Sequence, residues 1–411
     1  MSTLTAANRE SITSLALPLV AVFVVSLGYG VVLPVLPFVL ADALGEAERT
    51  SIPWHTGMLT GVYMLVLFLF APLWGYISDR IGRRTVILIG LAGFSVAMLW
   101  FALARGLVFI YGARAFAGIF AAAVLPVVLA WVSDAAMSRT RAQAFAWLSA
   151  ASALGFMFGP ALSGWLVSVK IVAQDTSLAL PFYATAALGG GVWLAAYRFL
   201  PENASLCVRD SDPARSVPSL MGLLALSLLV MFGLGSFEVG LTLLGQQVLN
   251  LEPREIGWAF VECSLVMIMV QVFVLAPLIQ RVGSSLMAPA FLAMASGIAL
   301  LPYAASFPAL LIGVGLIAAA SGMLIPALTY LISLAAGSAP GAAIGKQTAA
   351  GSLGYAVGSS AAGWLFAVHI AVPFWVAAGL LGLGAVAAFR VANTLKSIGS
   401  TGFGLKSERS E

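Results

Sequence analysis

Long apolar runs broken by short polar turns fill the chain from residue 12 to residue 389. A helix needs about 20 apolar residues to cross a hydrocarbon core of about 30 Å. Twelve segments meet that length: 12–40, 54–77, 85–104, 107–132, 142–169 and 178–197, then 218–244, 256–279, 286–304, 308–331, 342–368 and 371–389. The runs are continuous and lack the alternation of a spanning strand, which excludes a closed β-barrel. The pattern predicts an all-α polytopic membrane protein with 12 transmembrane helices. The run at 12–40 is too long for the apolar core of a cleavable signal peptide and reads as a retained span.

The longest polar interval, about 198–217, carries Pro201, Glu202, Asp210, Asp212 and Pro213. It predicts an N-terminal six-helix bundle at 1–200, a flexible cytoplasmic linker at 201–217, a C-terminal six-helix bundle at 218–392 and a cytoplasmic tail at 393–411. The two halves echo one another. Leu154, Gly155, Gly159, Gly164 and Trp165 recur as Leu353, Gly354, Gly358, Gly363 and Trp364, each 199 residues on. A weaker echo pairs Asp79-Arg80-Ile81-Gly82 with Gln280-Arg281-Val282-Gly283, 201 residues on. Internal repeats of this kind mark secondary transporters, whose substrate site lies between the halves near the midplane.

Composition removes the soluble classes. Hydrophobic residues make up 61% of the chain and charged residues 9%, too few to cover a water-facing surface of this size. The net charge of +4 needs no nucleic-acid partner, because basic residues collect on the cytoplasmic loops of any such protein. With both termini inside, 15 basic residues fall on the cytoplasmic side and four (Arg49, Arg105, Lys170 and Arg254) on the outer side. This bias predicts a multi-pass protein of the cytoplasmic (inner) membrane with both termini cytoplasmic. Cys207 in the linker and Cys263 in a span are not expected to pair. The Asn203-Ala204-Ser205 sequon falls on the cytoplasmic side, where glycosylation is not expected.

The loop after the second span reads Gly75-Tyr76-Ile77-Ser78-Asp79-Arg80-Ile81-Gly82-Arg83-Arg84. It is similar to the G-x-x-x-D-R-x-G-R-R loop of the major facilitator superfamily, at every defining position. A charge-biased turn accounts for the arginines but not for Gly75, Asp79 and Gly82 at these spacings. Arg114-Ala115-Phe116-Ala117-Gly118 in the fourth span resembles the family's R-x-x-x-G element. Gly155, Gly159, Pro160 and Gly164 in the fifth span resemble the G-x-x-x-G-P-x-x-G-G element of its exporters, with Ser163 replacing one glycine. Gly30, Pro34 and Pro37 in the first span are similar to a run found in twelve-helix drug–proton antiporters. The resemblance covers the whole chain and implies the major facilitator fold, two pseudo-symmetric six-helix bundles. Its nearest group is the tetracycline and multidrug efflux type.

In that family the loop after the second span acts as a conformational latch, which assigns Gly75, Asp79, Gly82, Arg83 and Arg84 here. Asp134, ending the fourth span on the same side, is expected to join Asp79 and Arg83. Partly shielded opposite charges at close range are worth about 1–3 kcal/mol, enough to bias two states. Gln280 replaces the aspartate in the second half, so the latch is one-sided.

Ionisable residues inside spans cost at least about 2.5–3.5 kcal/mol at a helix centre and default to functional hypotheses. Away from helix ends there are three: Arg114, Glu238 and Glu262. Carboxyl groups in apolar settings hold their protons more tightly. Glu238 and Glu262 are therefore candidates to take up protons outside and release them inside, Glu238 foremost because it sits deeper. Each can equally be a structural acid with a polar partner, or the two can titrate as a coupled pair. The resemblance implies a role for Arg114 in proton transfer. Many drug–proton antiporters carry an acid in the first span, whereas residues 12–40 hold none and Asp42 lies at the outer end.

The substrate pocket is expected between the first, fourth, seventh and tenth spans, with Tyr29, Phe116, Phe237, Gln246 and Tyr330 as candidates. Scarce in-span charge favours a neutral, amphipathic or weakly cationic small molecule. The absence of a phosphate-binding G-x-x-x-x-G-K-[ST] loop excludes transport by its own nucleotide hydrolysis. His55 and His369 lie apart near helix ends, so no metal site is expected. The expected partners are the substrate, protons and the bilayer, with no nucleic acid, no cofactor beyond the proton gradient and a monomeric state. The leading expectation is a proton-coupled exporter rather than an enzyme; the alternatives are an uptake carrier for a metabolite and a non-transporting membrane protein.

Overall fold

A computed structural model describes the backbone of residues 2–135, 141–169, 178–200, 218–275, 283–335 and 340–404, and side chains within 16–45, 48–131, 147–169, 178–200, 220–273, 285–335 and 343–393. The linker at 201–217 with its sequon and Cys207, the Asp134 side chain, and Gln280 and Arg281 lie outside the described residues.

Each apolar run folds as one helix. The first six are α1 (Ser2–Leu44), α2 (Ile52–Ile81), α3 (Arg83–Leu103), α4 (Leu107–Ala135), α5 (Arg141–Ser168) and α6 (Leu180–Phe199). The second six are α7 (Pro218–Gln247), α8 (Pro253–Met269), α9 (Met287–Leu300), α10 (Phe307–Ala335), α11 (Pro340–Val368) and α12 (Val372–Gly404). No strand forms among the described residues. Nine helices are long and apolar enough to cross a membrane among the described residues, and Met287–Tyr303 is a shorter apolar one. Within the expected eighth span, α8 gives way at Met269 to π geometry over Val270–Leu275. Helix α9 is flanked by 3-10 turns at Gly283–Leu286 and Leu301–Tyr303.

Prolines lie inside α1 (Pro18, Pro34, Pro37), α2 (Pro72), α4 (Pro126), α5 (Pro160) and α10 (Pro326). Membrane helices tolerate them because neighbouring helices and side chains satisfy the freed carbonyls. A single residue, Gly82, separates α2 from α3 with φ 92°. That is left-handed backbone, open to glycine at no steric cost. Outside, large apolar side chains such as Leu194, Ile312, Leu383 and Phe389 are exposed, as a lipid-facing surface requires.

By its contacts the chain divides into two compact units, residues 1–209 with 241–264, and 210–240 with 265–411. In the first, α1 packs on α5 and α6, α4 packs on α2 and α3, and α3 packs on α6. In the second, α9 packs on α10 and α12, and α11 packs on both of these.

The sequence echo is a packing echo. A Cβ on Gly155 would meet the Phe23 carbonyl of α1, and one on Gly159 would lie 2.5 Å from the Leu27 carbonyl. In the second unit Gly354 and Gly358 of α11 face the carbonyls of Leu228 and Phe232 of α7 in the same way. The approach is reciprocal. A Cβ on Gly30 of α1 would lie 3.2 Å from the Phe156 carbonyl, and one on Gly235 of α7 would lie 2.6 Å from the Tyr355 carbonyl. Both pairs of helices pack backbone to backbone through glycine, the arrangement by which membrane helices gain contact without a hydrophobic driving force.

Candidate functional site

Arg114 is fully buried in the first unit. Its position follows from Gly118, one helical turn on. A Cβ there would lie 2.7 Å from the Tyr63 carbonyl, so glycine lets α4 close on α2 at that level. The guanidinium then lies over the Tyr63 ring at 4.7 Å and over the Tyr29 ring of α1 at 5.4 Å. Tyr29 and Tyr63 contact each other with centroids 5.1 Å apart, and Phe156 of α5 stands edge-on to Tyr29 at 5.4 Å. The result is one buried cation faced by aromatic rings from two other helices. Such contacts are worth about 2 kcal/mol each when desolvated. The arginine and glycine of the R-x-x-x-G element are thus one device: the glycine makes the approach and the arginine uses it. Tyr63 was not a candidate from sequence, because nothing separates a mid-span tyrosine that meets a cation from one that meets lipid.

Glu238 is half-buried in α7 of the second unit, one turn beyond Gly235. The close approach at Gly235 brings α11 alongside, and the Tyr355 hydroxyl donates a hydrogen bond to Glu238 Oε2. Tyr355 is buried, and Ser236 Oγ donates to the Gly358 carbonyl at 3.1 Å beside it. Tyr355 too was absent from the sequence candidates. The repeat held the signal: Tyr355 lies 199 residues after Phe156, the ring that touches Tyr29.

Glu262 of α8 falls in the first unit, half-buried, and its Oε2 is buried with no hydrogen-bond partner among the described residues. Gln246 Oε1 near the end of α7 is in the same condition. Among the remaining pocket candidates, Phe237 is fully buried in α7, whereas Tyr330 is exposed near the end of α10. Phe116 faces away from the Arg114 cluster, at 5.6 Å from Trp100 and 4.7 Å from Phe120. Of the pocket candidates, Tyr29 alone is seen in ring contact with Arg114. His55 and His369 have aromatic neighbours: His55 Nδ1 hydrogen-bonds with Tyr111 Oη at 3.0 Å, and His369 stacks on Trp375 at 6.3 Å. A cavity of about 590 Å³ opens at the connection between α7 and α8, lined by Asn250, Glu252, Arg254, Glu255 and Trp258. Its lining includes none of the three in-span charges.

In the loop between α2 and α3 the described residues include the Asp79–Arg83 part of the expected latch, while the Asp134 side chain lies outside them. Arg83 and Asp79 pair at 2.9 Å across the Gly82 break, and Arg83 also donates to Ser78 Oγ at 2.8 Å. The Asp79 side chain is 57% exposed, so water screens the pair. A surface pair of this kind is worth about 0–1 kcal/mol by itself. Asp79→Asn is therefore expected to change stability by less than about 1 kcal/mol, read from the unfolding midpoint of the purified protein in detergent. Arg84 does something different: it donates to the Tyr197 carbonyl at 2.7 Å and ties α3 to the end of α6. A Cβ on Gly75 would meet nothing, so neither packing nor backbone angle demands glycine there in this structure.

The exporter glycines have contacts of their own. Gly30 approaches Pro160, whose Cδ would lie 2.8 Å from an added Cβ. A Cβ on Gly164 would lie 2.8 Å from the Arg254 Cα, and one on Gly257 would lie 2.6 Å from the Pro160 carbonyl. Helix α5 is thus held at successive glycines by α1 on one side and the start of α8 on another.

The Major Facilitator Superfamily profile matches residues 19–284 and 223–405. Multidrug resistance protein 2 of Bacillus subtilis (strain 168) is 27% identical over 368 residues, 86% of this chain and 88% of that protein. Quinolone resistance protein NorA of Staphylococcus aureus (strain Mu50 / ATCC 700699) is 27% identical over 371 residues, 87% of this chain and 91% of its own. Two solved structures share the fold. A bacterial homologue of the human lysosomal transporter Spinster, in an inward-facing and occupied conformation, aligns over 94% of this chain and 97% of its own with a TM-score of 0.77 at 13% identity. The human organic anion transporter MFSD10 (TETRAN) aligns over 92% and 99% with a TM-score of 0.69 at 20% identity. With its α2–α3 loop, its R-x-x-x-G device and its twelve helices in place, the chain belongs to the major facilitator superfamily, as a transporter resembling the drug-efflux type.

Proposed function

We propose that this transporter is a proton-coupled antiporter that exports small apolar or amphipathic compounds across the cytoplasmic membrane by alternating access. Glu238 is the observation that carries the reading. A carboxyl group placed well inside a spanning helix is costly unless it does work, and this one accepts a hydrogen bond from a buried tyrosine. It takes a proton from the outer side and delivers it inside as the substrate leaves. Arg114 supplies a permanent positive charge in the first unit. Glu262, whose buried Oε2 has no hydrogen-bond partner among the described residues, is the second acidic group of the cycle. The names of the bacterial relatives support export of drug-like molecules. No cofactor is needed beyond the proton gradient, the protein acts as a monomer, and both termini lie in the cytoplasm.

The test uses purified protein in sealed vesicles with an imposed pH gradient and the quinolone norfloxacin and a lipophilic cationic dye as probes. Antiport predicts that probe moves against the proton flow and that Glu238→Gln abolishes probe-linked proton movement while leaving a folded protein. Probe moving with the protons would establish a symporter instead. Full coupling in Glu238→Gln would remove Glu238 from the mechanism.

A further inference from the structure

The packing echo has one chemical exception. Helices α1 and α5 of the first unit repeat as α7 and α11 of the second, with Gly30 against the Phe156 carbonyl in one and Gly235 against the Tyr355 carbonyl in the other. Phe156 and Tyr355 thus occupy the same place in the two halves. Phe156 presents a plain ring to Tyr29. Tyr355 presents the same ring with a hydroxyl, and that hydroxyl is the atom bonded to Glu238. A phenyl ring is evidently sufficient for the packing at this place, so the added oxygen serves something else.

We infer that Tyr355 is the positioning residue of the proton carrier: its hydroxyl holds the Glu238 carboxyl in one orientation in the second unit. The inference rests on the assignment of Glu238 as the titrating acid. A carboxyl group in a span can otherwise choose among several rotamers, each with different access to water and substrate. A donor on Oε2 restrains the group to the orientation that keeps that bond. The neighbourhood restrains the tyrosine in turn. Gly235 and Ser236 of α7 hold α11 at close range, and Ser359 Oγ, one turn on, donates to the Tyr355 carbonyl at 2.8 Å.

The test needs no knowledge of the substrate, because the proton is the probe. Infrared difference spectra of the full-length protein in vesicles, recorded between acid and alkaline pH, contain the C=O stretch of each carboxyl group that titrates. The band lost in Glu238→Gln belongs to Glu238. In Tyr355→Phe, which copies the first half, that band is expected to move to higher wavenumber as the hydrogen bond to the carbonyl is lost. With 3-fluorotyrosine at position 355, a stronger donor of nearly the same shape, it is expected to move to lower wavenumber. This second variant keeps the comparison available should Tyr355→Phe be poorly recovered. A Glu238 band present but unmoved in the two variants would overturn the positioning role and leave Glu238 as carrier. A spectrum in which Glu238→Gln removes no band would overturn the carrier assignment, and the inference with it.

Discussion

Arg114→Ala is expected to lower probe-linked proton exchange by about two orders of magnitude or more, and Arg114→Lys by about tenfold, in the vesicle assay. The reasoning begins with burial. The side chain has no exposure to solvent, and its guanidinium faces the Tyr63 and Tyr29 rings. A desolvated cation–π contact is worth about 2 kcal/mol, which corresponds to roughly 30-fold in an equilibrium. Two such contacts bias whichever state contains them by more than the usual coupling between states. Truncation to alanine removes both contacts and the charge and leaves a void between α1, α2 and α4. Lysine keeps the charge on a flexible stem but loses the planar group that lies over both rings. The alanine variant is also expected to lose thermal stability, because a large buried side chain disappears from a packed region. The informative readout is therefore the ratio of exchange rate to folded protein. Equal exchange per folded molecule in the wild type and Arg114→Lys would show that positive charge alone is sufficient at this site.

The same residues show how much of the protein was legible beforehand. Helix number and approximate course could be read because hydrocarbon thickness fixes the length of an apolar run, and no packing detail intervenes. The R-x-x-x-G and glycine-rich elements were legible as positions, since only glycine admits a carbonyl where Leu27 or Tyr63 approaches. What those positions meet was not legible. Tyr63 and Tyr355 depend on which faces of α2 and α11 turn inward, and an almost uniformly apolar helix carries no amphipathic stripe to say so. The worth of the Asp79–Arg83 pair was not legible for a related reason. Sequence spacing placed Asp79 near Arg83 correctly, but exposure decides what an ion pair is worth, and the Asp79 side chain lies mostly in water. The charges inside the spans were found at once because the membrane makes each costly. Phe116 was a candidate by its place in the fourth span, two residues from Arg114, yet two residues in a helix turn the side chain towards another face, where it meets Trp100.

Gly159→Val and Gly358→Val are each expected to abolish recovery of a monodisperse protein from detergent, whereas Gly190→Ala is expected to be recovered at wild-type level or better. A Cβ on Gly159 would lie 2.5 Å from the Leu27 carbonyl and 2.8 Å from the Val31 nitrogen, both backbone atoms of α1. Backbone cannot rotate away as a side-chain tip can, so the helices must separate. Overpacking within a core costs about 1–3 kcal/mol when side chains yield. Here the cost exceeds that range, because the Gly155, Gly30 and Ser26–Ser152 contacts of the same interface open together. Gly358 meets the Phe232 backbone in the same way, so the two halves should fail alike although Gly358 belongs to no exporter element. A Cβ on Gly190 meets nothing, and replacing an unconstrained helical glycine with alanine gains about 0.5–1 kcal/mol. Fluorescence-detected size-exclusion of the three variants, followed by their thermal midpoints, separates the cases. A monodisperse Gly159→Val protein with an unchanged midpoint would show that α1 and α5 do not pack this closely, and that the element earns its place by its role in transport rather than in folding.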